Sequence, residues 1–320
     1  MTSSIASTDR PQPPAPPWLI AVCLACVYII WGTTYYALKV GLEEAGPYFL
    51  IGTRFIAAGG PLMLWLHWRG EPLPTLRQWR GAALLAFLML VVSLGNVTVA
   101  EQWVSSGAAV ALISLMPLAV ALWSIVFGKR PKLLEWGAII LGALGTLVMV
   151  LGHDLRARPL GAVLILIGIC SWALGTVLSR RIVTPPGAMG FAAEMLAGGV
   201  IALTVSLVLR ESWSLPHSPR VWWAWGYLVV FGSLIAFSAY RYLVERVSQT
   251  LAASYAYVNP LVGLLVGWGL GNETFSANVL LGLPIVLASV GALAWAQFGR
   301  TAAVPQASRR GCLEPSRVVE

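Results

Sequence analysis

The sequence predicts an all-α membrane protein with ten transmembrane helices arranged as two inverted five-helix repeats. Three observations lead to this fold class: composition, the length of the apolar runs, and an internal match. Of 320 residues, 58% are hydrophobic and 11% are charged, whereas soluble proteins carry about 25% charged residues. The apolar runs are about 20 residues long, which is the length that spans the hydrocarbon core of a bilayer.

The internal match relates two apolar runs, 105–130 and 248–273, at an offset of 143 positions. At this offset Pro117 falls on Pro260. Each run then reaches a shared glycine, after which one continues with Lys-Arg and the other with Asn-Glu. Because basic residues gather on the cytoplasmic side of membranes, the opposite charges indicate equivalent helices that point in opposite directions.

Ten predicted spans and two tails account for the whole chain. The spans lie near 18–38, 48–67, 80–100, 105–127, 133–151, 160–180, 187–209, 221–242, 249–270 and 278–298. The first repeat is predicted over 18–151 and the second over 160–298. Residues 1–17 are rich in proline and are predicted to be a disordered tail. Residues 299–320 are predicted to be a cytoplasmic tail.

The basic residues predict the orientation. Fifteen Lys and Arg residues fall on the side of the N-terminus and five on the other side. Both termini are therefore expected in the cytoplasm, in a multi-pass protein of the inner (plasma) membrane. The basic residues sit in short groups between apolar runs, so no nucleic-acid partner is expected.

Four motifs resemble a known family. They are WGTTYYALK followed by P-x6-RF in the first two spans, SWALGTVLSRR in the sixth and ASYAYVNP in the ninth. Over about 18–298 they are similar to the EamA branch of the drug/metabolite transporter superfamily, and within it to YedA-like inner-membrane permeases. The resemblance implies an exporter or exchanger of small metabolites. It implies no particular substrate, because members of that superfamily move amino acids, nucleotide metabolites, drugs and sugar phosphates on one scaffold.

Two ionisable residues, Arg54 and Glu194, are predicted to lie inside spans, where a charge costs about 2.5–3.5 kcal/mol. Arg54 lies seven residues after Pro47 and Glu194 eight after Pro186, which gives depths of about 10 and 12 Å from opposite faces. In a core of about 30 Å the two side chains are expected to meet directly or across a ligand. The alternative is an ion pair that only fixes the helices.

Roles follow from the chemistry of these two groups. Arg54 is expected to bind a carboxylate with two parallel hydrogen bonds, which favours an amino-acid-like substrate. Glu194 is expected to bind an amine and to exchange a proton, since burial disfavours an ionised carboxylate. Protons are therefore a predicted partner, beside the lipid bilayer and the substrate.

Polar and aromatic residues at related depths complete the predicted substrate site. They are Trp31, Tyr35, Asn96, Trp172, Thr176, Tyr255, Tyr257 and Asn259. Pro117 and Pro260 are predicted to mark helix bends, because proline leaves a backbone carbonyl without its donor.

No enzyme motif, cofactor or metal site is predicted. The three histidines fall at span ends or in loops, and no nucleotide-binding loop is present in the sequence. Transport would then be passive or driven by a gradient. The leading hypothesis is a secondary transporter that works by alternating access between the two repeats. The alternative is a membrane scaffold or regulatory subunit that keeps the fold without transport.

The topology can be tested with reporter fusions after residues 44, 101, 154, 212 and 273. All five are expected to report the outside of the membrane, because the basic residues place the N-terminus inside. A cytoplasmic signal at residue 273 would contradict ten spans.

Overall fold

The computed structural model describes residues 16–103, 112–129, 131–150, 159–271 and 277–298. Within these ranges all regular structure is helical, and no strand is found. The tail 299–320, most of the tail 1–17, the start of the fourth predicted span and Glu273 lie outside the described residues.

Most of the described helices agree closely with the predicted spans, but for the fourth span, 105–127, the described helix covers only Met116–Val126. The helices are α1 Pro17–Gly41, α2 Pro47–Trp68, α3 Leu76–Ala100, α4 Met116–Val126, α5 Leu133–Val150, α6 Pro159–Leu178, α7 Gly187–Val208, α8 Pro219–Arg246, α9 Tyr255–Gly271 and α10 Ala277–Phe298, and a short helix, Gln249–Ala252, precedes α9. Six of them, α1 to α3 and α6 to α8, are long and apolar enough to cross a membrane. The structure is that of a helical membrane protein. The division into two inverted repeats stays a prediction.

Local sequence explains where several helices begin. Pro17, Pro47 and Pro219 occupy the first turns of α1, α2 and α8, where a missing N–H costs no helical hydrogen bond. Thr75 and Gln78 form a reciprocal capping box at the start of α3, which satisfies two otherwise free backbone donors. This cap explains why α3 begins four residues before the predicted span.

The two predicted proline bends differ in the structure. A turn at Ser114 and Leu115 directly precedes α4, which has Pro117 in its first turn, so a break occurs beside this proline. Pro260 instead lies inside α9, and the break comes earlier, at Ala253 and Ser254. The bend expected at Pro260 is therefore displaced toward the N-terminus. The hydroxyl of Ser254 contributes to this break by donating to the carbonyl of Leu251 at 2.6 Å, as serine does at turns.

Two π-helical segments interrupt α3 and α8, at Phe87–Ser93 and Leu228–Ile235. Carbonyls in both segments receive hydrogen bonds from side chains of other helices. Ser171 Oγ donates to the carbonyl of Leu88 at 2.7 Å, and Trp31 Nε1 donates to the carbonyl of Gly232 at 3.2 Å. π-Helical turns occur frequently at functional sites. Both lie in the middle of their helices.

Helices of the two predicted halves pack against each other. α1 packs on α8 and α9, α6 on α3 and α4, α2 on α7, and α5 on α10. At the α2–α7 contact a Cβ on Gly59 would lie 2.8 Å from the backbone nitrogen of Leu196, and one on Gly199 would lie 2.9 Å from that of Ile56. Small residues allow such close helix contact in lipid, where apolar character alone does not drive association.

Loop carboxylates connect the halves at one end of the helices. Glu211, which follows α7, accepts hydrogen bonds from the backbone N–H groups of Tyr48 and Phe49 in the first turn of α2, at 3.2 and 2.8 Å. Glu44, which follows α1, accepts from the N–H groups of His217 and Ser218 just before α8. Carboxylates are favourable at helix N-termini, where backbone donors lack partners.

The α2–α7 contact can be tested with Gly59→Leu. The larger side chain meets backbone atoms that cannot rotate away, so we expect a loss of about 1–3 kcal/mol in stability, measured by thermal unfolding of the detergent-solubilised protein. Gly60→Leu is the matched control, because a Cβ there meets no atom within 4 Å. Equal melting temperatures for the two variants would show that the close contact contributes nothing.

Candidate functional site

A central cavity contains most of the predicted site residues. This arginine cavity has about 70 Å³ of room for the centres of water-sized molecules. The predicted residues that line it are Trp31, Tyr35, Arg54, Trp172, Tyr255 and Asn259. They come from α1, α2, α6 and α9, and α3, α4 and α8 complete the wall. The sequence thus predicted residues that the fold brings together from distant parts of the chain.

Arg54 is the charged group of the arginine cavity, and its side chain is 2% exposed. Its Nε donates to Ser233 Oγ at 2.7 Å, and the guanidinium carbon lies 5.0 Å from the centre of the Phe55 ring. Among the described residues, no carboxylate lies within ion-pair distance of Arg54. A buried cation without a counter-ion is costly, so this arrangement suits an anionic group supplied by a ligand.

Ser233 positions this arginine. It belongs to the π-helical segment of α8, and its hydroxyl donates in turn to the carbonyl of Leu228 at 3.0 Å. A Cβ on the neighbouring Gly232 would lie 2.9 Å from Nη2 of Arg54. The glycine and the serine therefore give the guanidinium its room and its hydrogen bond. In the sequence, the signal for this role is only a pair of small residues inside an apolar run.

Five aromatic rings form a cluster at one wall of the arginine cavity. Trp31 lies at its centre, with ring centroids at 5.5 Å from Trp172, 5.1 Å from Phe237, 5.0 Å from Tyr240 and 4.8 Å from Tyr255. Several of the pairs are T-shaped, an arrangement that aromatic pairs favour. The rings form a packed layer across the middle of the molecule.

Hydrogen bonds fix the orientation of this aromatic layer. Trp172 Nε1 donates to the hydroxyl of Tyr240 at 3.0 Å, and Thr176 Oγ1 lies 2.8 Å from the same hydroxyl. Trp172, Tyr240 and Thr176 thus supply hydrogen-bond partners for one another, as buried polar groups require. Thr176, which the sequence predicted to bind substrate, contacts Tyr240 of this layer and does not line the arginine cavity.

A second cavity, with about 30 Å³ of room for the centres of water-sized molecules, lies on the other side of the aromatic layer. Glu194 lines this glutamate cavity, and Phe237 lines both. Along α3, α6 and α8, one part of each helix lines the arginine cavity and another part lines the glutamate cavity. On α3, for example, Val97 lines the arginine cavity and Leu85 lines the glutamate cavity. The aromatic layer therefore separates two cavities that lie one after the other along the helices.

Glu194 has a different partner from the one the sequence suggested. Its carboxylate forms an ion pair with Arg241 on α8, not with Arg54. Arg241 also donates to Glu245 at 2.8 Å and to Thr184 at 2.9 Å. The two side chains of the Glu194–Arg241 pair are each 15% exposed. The position of Arg241 in the sequence indicates the cytoplasmic side of the membrane, so depth along the helices does not predict this pair.

Two predicted residues, Asn96 and Tyr257, do not line either cavity. Tyr257 is fully buried, and its hydroxyl donates to the carbonyl of Ile139 on α5 at 2.8 Å. It packs α9 against α5 instead of facing a ligand. Asn96 is half-buried on α3.

Asn259 lines the arginine cavity and also connects two helices through hydrogen bonds. With its amide oriented so that donors face acceptors, Nδ2 donates to the carbonyls of Tyr255 and Tyr28 at 3.1 and 3.2 Å. It is also hydrogen-bonded to Tyr35. These contacts connect α9 to α1 directly beside the arginine cavity, one residue before Pro260.

Comparisons with known proteins agree with this architecture. The model of the EamA-like transporter family matches residues 17–151 and again 159–295. The chain is 44% identical over 268 residues to the uncharacterized inner membrane transporter YedA of Escherichia coli (strain K12), covering 83% of this chain and 88% of that protein. It is 28% identical to an uncharacterized transporter of Synechocystis, covering 83% and 87%.

A crystal structure that is 18% identical has the same fold, with a TM-score of 0.73, and the match covers 87% of this chain and 98% of that one. The curated relatives named above are transporters and not enzymes. The inner-membrane location of YedA agrees with the six apolar helices of this chain. The chain therefore belongs to the EamA-like transporter family.

Proposed function

We propose that this protein is a secondary transporter that exports or exchanges small amino-acid-like metabolites by alternating access. The observation that carries the proposal is Arg54, a buried cation in a cavity with no carboxylate partner among the described residues. A guanidinium matches a carboxylate with two parallel hydrogen bonds. A scaffold protein would gain nothing from such a charge, whereas a transporter uses it to attract its substrate.

The two cavities support alternating access. The aromatic layer lies between them, so a substrate in the arginine cavity has to pass these rings to reach the glutamate cavity. Close packing of the five rings separates the cavities in this structure. Exchange of access requires the layer to open as the helices of the two halves move against each other.

The Glu194–Arg241 pair is proposed to hold the glutamate cavity closed. It joins α7 to α8 at the wall of that cavity. Opening the cavity between these helices would separate the two charges, which is unfavourable at low exposure unless water or substrate replaces the partner. The proton-coupling role expected for Glu194 would require its release from Arg241 in the other state of the cycle.

The role of Arg54 is tested by transport in membrane vesicles. Comparing metabolites in overexpressing and deleted cells identifies a carboxylate substrate, and its uptake is then measured for Arg54→Lys and Arg54→Gln. Arg54→Lys keeps the charge but loses the two parallel N–H donors of the guanidinium, so we expect the apparent affinity for the substrate to fall by about 10-fold. In Arg54→Gln, which also loses the charge, we expect the apparent affinity to fall further.

Arg69→Lys is the matched control for this experiment, because Arg69 is exposed at the end of α2 and lines neither cavity. Unchanged affinity in Arg54→Gln, in a variant that reaches the membrane, would refute carboxylate recognition by Arg54.

The two roles of Glu194 are separated by Glu194→Gln. A closing pair predicts a lower melting temperature, because Arg241 loses its counter-charge, and partial recovery in the double variant Glu194→Gln/Arg241→Gln, which leaves no buried charge. Proton coupling predicts instead that substrate-for-substrate exchange survives while accumulation driven by a pH gradient is lost. Full gradient-driven accumulation in a well-expressed Glu194→Gln would rule out coupling by this residue.

A further inference from the structure

Glu101 is a second charged group next to the arginine cavity, and neither the motifs nor the depth argument singled it out. It follows the last residue of α3, and its N–H donates to the carbonyl of Val97, one turn earlier. Ser93 and Val97 line the cavity. Residues four apart share a helix face, so Glu101 continues this cavity-lining stripe toward the end of α3.

The carboxylate of Glu101 lacks a partner on its buried side. Its Oε2 is inaccessible to solvent, and no described residue forms a hydrogen bond with it. Tyr35, which lines the arginine cavity, is close enough for Glu101 to act on it electrostatically. A buried, unsatisfied carboxylate oxygen is costly, and such a group at the edge of a cavity suits a ligand that supplies donors.

Arg54 in the arginine cavity and Glu101 beside it carry opposite ionisable groups that are not paired with each other. No ion pair joins them, and neither forms one with another described residue. We propose that Glu101 binds the ammonium group of a zwitterionic substrate whose carboxylate is bound by Arg54. This inference rests on the proposed function and replaces Glu194 as the amine-binding carboxylate, because Glu194 is bound by Arg241 in the other cavity.

Burial also determines the protonation of the Glu101 carboxyl before a ligand binds. It raises the pKa of Glu101 to about 8, although the charge of Lys39 acts in the opposite direction. Lys39 and Tyr35, both on α1, are the groups that interact electrostatically with Glu101. At about pH 7 the carboxyl of Glu101 is therefore mostly protonated when no ligand is bound, and a bound ammonium group favours its ionised form. Binding of the substrate therefore releases the proton of Glu101 to solvent.

The test uses purified full-length protein in detergent and three probes that share one side chain. L-phenylalanine carries both charged groups, phenethylamine lacks the carboxylate, and 3-phenylpropionate lacks the ammonium group. The other amino acids are screened by thermal shift. The amino acid that binds best then replaces L-phenylalanine, together with its analogue without the carboxylate and its analogue without the ammonium group. We expect the zwitterion to bind at least about 10-fold more tightly than either partner compound.

Proton release gives an independent readout. Calorimetry in two buffers with different ionisation enthalpies should detect net proton release when the zwitterion binds near pH 7, and this release should fall toward zero well above the pKa of about 8. In Glu101→Gln we expect no proton release and equal affinities for the zwitterion and the deaminated acid. Gln resembles the protonated carboxyl, so this variant should keep the melting temperature of the unliganded protein.

Glu43→Gln is the matched control, since Glu43 lies half-exposed beside Arg220 in the loop after α1. The inference is overturned if Glu101→Gln keeps both the zwitterion preference and the proton release, or if no amino acid binds. If carboxylates bind through Arg54 without any effect of Glu101, the proposed function stands and this inference alone fails. If binding and transport are independent of Arg54, the proposed function itself fails.

Discussion

Inside a bilayer, every backbone polar group needs a partner within the protein, because lipid offers no hydrogen bonds. The π-helical segments of α3 and α8 show how this constraint organises the centre of the fold. Carbonyls there are satisfied by Ser171 and Trp31, side chains from helices of the opposite predicted half. Trp31 also centres the aromatic layer. The same contacts that satisfy the backbone therefore align the rings that separate the two cavities.

Charge is distributed differently on the two sides of this layer. In the glutamate cavity, Glu194 and Arg241 satisfy each other. Among the described residues, Arg54 in the arginine cavity has only the hydroxyl of Ser233 as a hydrogen-bond partner, and Glu101 beside that cavity has a buried oxygen for which the same part of the chain offers no partner. A paired charge stabilises the contact between two helices, whereas an unpaired one favours a ligand of opposite charge. The two cavities thus differ in chemistry.

The sequence predicts the helices and much of the cavity, because both depend on local patterns. The length of the apolar runs predicts the spans, and the presence of an ionisable residue inside such a run identifies Arg54 and Glu194. The partner of Glu194 could not be predicted, since it depends on how α7 lies against α8 and on the reach of the Arg241 side chain. Depth along a helix also says nothing about rotation about its axis, so Tyr257 was expected in the cavity but packs against Ile139. The π-helical turns likewise arise from tertiary contacts.

The loop carboxylates that cap helices of the opposite half bear on how the chain is made. The N-terminus of α2 receives its cap from Glu211, which lies more than 160 residues later in the chain. While the protein is being synthesised, the first half enters the membrane with these backbone donors facing water. They gain their carboxylate only after α7 has been inserted. Completion of the contacts in the first predicted half therefore depends on the second, and α8 in turn receives its carboxylate from Glu44 in the first.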